Sequence, residues 1–250
     1  NIFGSKLHAR ALQALSFMDL TTLNNDDTRE VIEDLCQRAS INKKSVAAVC
    51  VFPEWVALAR QFLNEQGLDT KVATVTNFPD GSTNVARAAA ETERAIAAGA
   101  HEVDVVLPYA ALLQGDESTP AELVRECKDI CGDSVQLKVI IESGELQQHD
   151  KIVLASELAI ANGADFIKTS TGKVSINATL KAADAMLGVI KSSQTDCGFK
   201  AAGGIGTLDD AVQYIELAER IMGEDWVTAD NFRIGASSLL QDLQSLLVKV

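Results

Sequence analysis

Four short stretches place ionisable side chains where a folding chain would otherwise call for apolar ones. FIKTSTGK (166–173) sets Lys168 inside a short apolar run, EVDVVLP (102–108) holds Asp104, VQLKVIIE (135–142) holds Lys138 and Glu142, and GFKAAG (198–203) holds Lys200. A lysine is almost never fully buried without a partner. An isolated lysine, with a pKa near 10.4, is a poor nucleophile at neutral pH. A second ammonium nearby and partial desolvation both disfavour its charge and lower that pKa, toward about 7–8 in tuned sites. The neutral amine then adds to a carbonyl and forms a Schiff base. A protonated imine draws electrons from the adjacent carbon, so a C–C bond can form or break beside it. Asp104 supplies a carboxylate able to shuttle the protons. The chemistry expected is therefore that of a lysine-type aldolase, with Lys138, Lys168 and Lys200 equally placed as nucleophile on these grounds.

The elements that must bring these residues together are legible in the hydrophobic pattern. Short β-branched runs alternate with helical patterns from end to end: LSFMDLTTL, SVAAVCVF, KVATVTNF, EVDVVLP, VQLKVIIE, DFIKTS, GFKAAG and FRIGASS are each followed by an amphipathic stretch. Leu208, Ala211, Val212, Ile215, Ala218 and Met222 fall on one helical face. Thr119-Pro120-Ala121-Glu122 reads as an N-cap, a first-turn proline and a capping-box acid, and Gly67, Gly99 and Gly163 read as left-handed helix stops. Eight such units in 250 residues, with no linker, predict an α/β fold, a single (β/α)8 barrel over 1–250. An open doubly wound sheet is the alternative, but no G-x-G-x-x-G follows the first strand. In a barrel, strand parity turns Val103, Val105, Leu107, Leu137, Val139, Ile141, Ile167 and Phe199 toward the helices. It turns Glu102, Asp104, Lys138, Lys168 and Lys200 inward, with Glu142 at a strand end. Glu142 reads equally well as a solvated loop acid.

The ends of the last three strands carry small residues that free backbone amides: Ser170-Thr171-Gly172-Lys173, Ala202-Gly203-Gly204 and Gly235-Ala236-Ser237-Ser238. Ser237-Ser238 stands at a predicted helix N-terminus. Such ends bind phosphate, and barrels favour that position for it. A metal is not expected, because His8, His101 and His149 all lie outside the strands, His101 and His149 as surface residues. The net charge of −13 argues against nucleic acid or an anionic membrane as partner, and no run reaches the ~18 apolar residues of a span. Five scattered cysteines (36, 50, 127, 131, 197) fit a reducing cytoplasm, Cys127 and Cys131 reading as helix packing. The chain begins at Asn1, so trimmed termini are expected. Exposed helix faces leave the oligomeric state open, a homodimer among the options.

MDLTTL (18–23), ATVTNFPDG (73–81), EVDVVLPY (102–109), LKVIIESGEL (137–146), ADFIKTSTGK (164–173), GFKAAGGI (198–205) and FRIGASSLL (232–240), taken in order, resemble the 2-deoxyribose-5-phosphate aldolases. The resemblance implies reversible cleavage of 2-deoxy-D-ribose 5-phosphate to D-glyceraldehyde 3-phosphate and acetaldehyde in deoxyribonucleotide catabolism, without metal or organic cofactor. It selects Lys168 as the Schiff-base lysine, Lys200 as the residue that perturbs it and Asp104 as the proton-transfer acid. It puts Asp19 and Lys173 near the substrate hydroxyls and phosphate, and Gly172, Gly203, Gly204, Ser237 and Ser238 in the phosphate cradle. Cys50 matches a cysteine that reacts with an aldehyde side product in relatives, though plain packing explains it as well. Two departures stand out. Ala201 replaces the usual proline after the lysine, and the sequence stops at Val250 without the terminal tyrosine of some relatives, having only Tyr109 and Tyr214. Two other classes remain open: a transaldolase-like enzyme, and a phosphometabolite-binding barrel whose lysines only hold anions.

Overall fold

A computed structural model describes residues 2–248, so the termini at Asn1 and Val250 lie outside the described residues. Eight parallel strands close into a barrel: β1 (Met18–Thr21), β2 (Ala48–Val51), β3 (Lys71–Thr76), β4 (Glu102–Val106), β5 (Gln136–Ile140), β6 (Phe166–Lys168), β7 (Gly198–Ala202) and β8 (Phe232–Ala236). Each strand pairs with the next, and β8 closes on β1 through Met18↔Ile234 and Asp19↔Gly235. The fold is thus the (β/α)8 barrel that the alternation of patterns requires. Among the described residues no helix is long and apolar enough to cross a membrane.

The helices follow their strands as the periodicity demands. Leu208–Met222 buries Leu208, Ala211, Ile215 and Ala218 against the sheet and adds Tyr214 and Leu217. Burying a side chain of Leu or Ile size contributes roughly 1.5–3 kcal/mol. Its start is a full capping box, Thr207 accepting from the Asp210 N–H while the Asp210 carboxylate accepts from the Thr207 N–H. The box expected at Thr119–Glu122 is not one. That helix begins at Ser118, and Asp116 caps it, its Oδ1 accepting from the Thr119 N–H at 3.0 Å and from the Ser118 hydroxyl at 3.1 Å. An ionised carboxylate placed just ahead of the turn displaced the threonine from the role. Gly67, Gly99 and Gly163 all take positive φ after helix ends.

A helix not foreseen, Ile2–Phe17, precedes β1. Its Ala11, Ala14 and Leu15 are buried against the helices Leu208–Met222 and Leu239–Leu247, and Phe17 meets Phe232 edge to face at 5.4 Å between centroids. His101 is not a plain surface residue either. It is half-buried and its Nδ1 accepts the Val72 N–H at 2.9 Å, tying the loop before β4 to β3. His149 is exposed. Cys127 and Cys131 are free and buried in one helix; burial pushes their thiols up to about 11 and about 12.

Parity divides the barrel as anticipated. Val103, Val105, Leu107, Leu137, Val139, Ile141, Ile167 and Phe199 join the core between sheet and helices. The interior has two halves of different character. Ala48 and Cys50 of β2 with Ala73 and Val75 of β3 form a small apolar cluster, while β1 and β4–β8 send charged groups to the axis.

Candidate active site

Register sets the charged groups side by side: Asp104 opposite Lys138, Lys168 opposite Lys200, Lys200 opposite Arg233. They form one buried network, in which the three lysines occupy three different environments. Lys138 Nζ lies among three carboxylates, 2.7 Å from Glu102 Oε1, 3.1 Å from Asp104 Oδ1 and 3.3 Å from Asp19 Oδ2. Burial would strip its proton, but Asp104, Asp19 and Glu102 outweigh burial and hold its pKa above the ordinary lysine value. Lys200 Nζ bridges Asp19 Oδ2 at 2.6 Å and Asp104 Oδ2 at 2.9 Å. There too burial loses to the two carboxylates and the pKa rises. Lys168 touches one carboxylate only, Asp104 Oδ2 at 3.0 Å. Burial pulls its pKa down, the Asp104 charge opposes, the Lys200 charge reinforces, and the net direction is below the ordinary value.

The carboxylates respond in the opposite sense. Burial would raise Asp104, but Lys138, Lys168 and Lys200 hold it well below the usual range. Asp19 is held down likewise, against burial, by Lys138, Lys200 and Arg233. Arg233, which the sequence reading passed over, completes the network: Nη1 reaches Asp19 Oδ1 at 3.0 Å and Glu102 Oε1 at 2.8 Å, and Nη2 reaches Glu102 Oε2 at 2.9 Å. Its signal was present in FRIGA, where parity with outward Phe232 and Ile234 turns Arg233 inward.

Above the network, at the C-terminal ends of the strands, opens a cavity of about 680 Å³. Of the network's seven charged groups, only Lys168 lines it. Thr171, Gly172, Lys173, Gly203, Gly204, Gly235, Ser237 and Ser238 line it as well. Gly172 (φ 82°) and Gly204 (φ 83°) have open space where a Cβ would stand, whereas a Cβ on Gly203 would come within 2.5 Å of Asn177. Asn177, which carried no sequence signal, accepts the Gly172 N–H at 3.0 Å. Lys173 Nζ donates to the Leu23 carbonyl across the cavity at 2.5 Å. The Ser237 hydroxyl donates to Thr21 O at 2.6 Å, and Ser238 opens the helix Leu239–Leu247 with its side chain making no capping bond.

Asp19, Cys50 and Glu142 do not line the cavity, whereas Gly235 lines it beside Lys200. Asp19 lies beneath the cavity, wholly buried in ion pairs. Cys50 is wholly buried in the apolar half, and burial raises its thiol pKa. Gly235 gives room to a side chain: a Cβ there would come within 3.0 Å of Lys200 Cε. Glu142 is no solvated loop acid. It is buried with φ 57°, and its oxygens accept from the Thr171 N–H at 3.0 Å and the Thr171 hydroxyl at 2.7 Å. Burial raises its pKa above the usual carboxylate value. The network's carboxylates are each paired with cations, and among the described residues no group of three or more His, Cys, Asp or Glu is arranged to hold a metal ion. The chemistry available is an amine with a lowered pKa at the floor of a cavity, with glycine-rich, amide-rich walls suited to an anion.

Residues 13–245 match the model of the DeoC/LacD family aldolases. Among solved structures, the aldolase QR15 superimposes with a TM-score of 0.78 at 29% identity, over 94% of this chain and 96% of its own. A candidate deoxyribose-phosphate aldolase from Coccidioides immitis gives 0.81 at 28% identity, over 94% and 87%. The tetrameric deoxyribose phosphate aldolase of Aeropyrum pernix shares the fold, with a TM-score of 0.76 at 24% identity over 98% and 99%.

Proposed function

The chain belongs to the DeoC/LacD family aldolases, and from that premise we propose that it cleaves 2-deoxy-D-ribose 5-phosphate reversibly, through an imine on Lys168, to D-glyceraldehyde 3-phosphate and acetaldehyde. The observation that carries the reading is the placement of Lys168. Alone among the network's amines it faces the cavity, its pKa is depressed, and the glycine and serine loops proposed to hold the phosphate line the same cavity.

The steps follow from the geometry. The neutral Lys168 amine donates one hydrogen to Asp104 Oδ2, which leaves its lone pair free for the C1 aldehyde of the open-chain sugar. Addition gives a carbinolamine; loss of its hydroxyl as water gives the iminium. The water released in forming the iminium accepts the proton of the C3 hydroxyl, whose oxygen electrons form a carbonyl as the C2–C3 bond breaks, and returns that proton to C2 afterwards. The bonding pair moves into the enamine and the iminium nitrogen accepts the charge. Glyceraldehyde 3-phosphate leaves, C2 takes up a proton, and water hydrolyses the remaining ethylidene imine to acetaldehyde. Lys200, with its raised pKa, rests protonated and shares Asp104 Oδ2 with Lys168. Asp104 and Lys200 are therefore the groups placed to exchange protons with the Lys168 nitrogen during imine formation, Asp104 passing a proton from Lys200 and returning it when the imine is hydrolysed. Gly172, Gly203, Gly204, Ser237 and Ser238 are the proposed phosphate cradle, with Lys173 adding a cation. Setting the pathway as deoxyribonucleotide catabolism and the compartment as cytoplasm belongs to the same proposal.

Borohydride reduction in the presence of acetaldehyde tests it. An ethyl group should appear on Lys168 and be absent from Lys168→Leu. An adduct mapped to Lys138 or Lys200, or saturable sugar phosphate binding with no adduct at all, overturns the assignment.

A further inference from the structure

The buried network holds three carboxylates, Asp19, Glu102 and Asp104, and four cationic side chains, Lys138, Lys168, Lys200 and Arg233, all connected by ion pairs. With Lys168 neutral the charges cancel; with Lys168 protonated the network carries one uncompensated positive charge in a dry interior, where it is costly. We infer that Arg233 and Glu102, neither of which reaches the cavity, are positioning residues whose opposite charges must balance each other for the network to be neutral with Lys168 as the free amine. The inference deepens the imine reading and rests on it for its functional meaning.

The groups that bear on Lys168 come from several strands. Asp104 of β4 and Lys200 of β7 are immediate, Cys50 of β2 is close, and Lys138 and Asp19 stand behind Asp104. Glu142, past the end of β5, feels the Lys168 charge weakly and spends both oxygens on Thr171. Arg233 is two strands from Lys168 along the register, through Lys200, which is roughly 10 Å between their backbones at ~4.8 Å per strand. At an effective dielectric near 20, one charge at that distance moves a titration by roughly one pH unit. Glu102 is held by Arg233 at 2.8 Å and 2.9 Å, so its removal acts over a similar distance with the opposite sign.

Competitive acetylation with acetic anhydride across pH, mapped to the Lys168 peptide, reads the neutral fraction of that amine in the absence of any substrate. Arg233→Gln should raise the Lys168 midpoint by about one pH unit, and Glu102→Gln should lower it by a similar amount. Arg233→Lys, which keeps the charge, and the double variant Glu102→Gln/Arg233→Gln should both return close to the wild-type midpoint. A purely structural role would move the two single variants in the same direction, and that result, or no movement, overturns the inference. Should Arg233→Gln not fold, Glu102→Gln against the double variant still gives the sign. Failure to trap an acetaldehyde adduct on Lys168, with the midpoints moving as stated, would sink the imine reading and leave the charge balance standing.

Discussion

Replacing Lys200 by Met removes one charge while keeping most of the side-chain volume. The ammonium of Lys200 and the amine of Lys168 share Asp104 Oδ2 at 2.9 Å and 3.0 Å, so the two nitrogens are no more than about 6 Å apart. At an effective dielectric near 20, two unit charges at that distance repel by about 2.8 kcal/mol, equivalent to roughly two pH units. Without Lys200 the protonated form of Lys168 is less disfavoured. Asp104, released from Lys200, attracts Lys168 more strongly, which adds in the same direction. The Lys168 pKa therefore rises, the neutral amine becomes scarce at neutral pH by about a hundredfold, and the rate of imine formation should recover as the pH is raised. The assay is the pH dependence of reductive trapping by acetaldehyde and borohydride, normalised to folded protein. That normalisation matters, because Asp19 and Asp104 each lose a partner, and breaking a buried pair typically costs about 3–5 kcal/mol. Asp19 retains Lys138 and Arg233, and Asp104 retains Lys138 and Lys168, so the variant should fold with a lowered Tm. A deficit of the same size at every pH would refute the electrostatic argument and leave Lys200 a role in positioning or proton transfer alone.

Two further variants probe the walls of the cavity. Ser238→Asp puts a negative charge at the N-terminus of Leu239–Leu247, and should raise KM for deoxyribose 5-phosphate at least tenfold while leaving acetaldehyde trapping nearly unchanged; equal losses for deoxyribose and its phosphate would place the phosphate elsewhere. Gly235→Ala presses a methyl group on Lys200 Cε and Ala202 Cβ, each 3.0 Å away; it should slow imine formation several-fold more than it weakens phosphate binding, and an unchanged trapping rate would show that Lys200 gives way freely.

The barrel was legible because each strand and helix repeats its own period, and strand parity sufficed to aim Asp104, Lys138, Lys168 and Lys200 at one axis. What parity could not do was rank the lysines. All three are inward strand residues; their difference lies in how many carboxylates each meets, and that depends on the stagger between strands, which no single strand encodes. Arg233 is readable by the same rule, in a stretch whose glycine and serines carry the stronger signal. Asn177 acts through irregular backbone, where periodicity carries no information, and parity names Glu142 at the end of its strand without showing whether it is buried or solvated. Glu142 in particular is turned inward by a left-handed residue just past β5, a conformation uncommon for a non-glycine side chain. The helix Ile2–Phe17 was missed because its exposed face includes Phe3 and Leu7, which blur the apolar stripe.

The lysine in the middle of an apolar run is tolerated because of what lies below and above it. Phe166 precedes it by two residues and so points into the same interior; its ring centroid lies 5.9 Å from Lys138 Nζ and 5.7 Å from Arg233 Cζ. Gly198, opposite it on β7, leaves room for that ring: a Cβ there would come within 2.7 Å of it. The underside of the network is thus roofed by an aromatic face that attracts cations and excludes water, while Lys168 at 3% exposure opens upward to the cavity. A buried ion network of this size adds little stability over apolar packing of the same volume. On the proposed reading, its retention makes physical sense as the means of lowering the pKa of the one amine that lines the cavity. The fixed charges sit on the dry side, where each acts at full strength, and the one group left to change its charge sits where substrate can reach it.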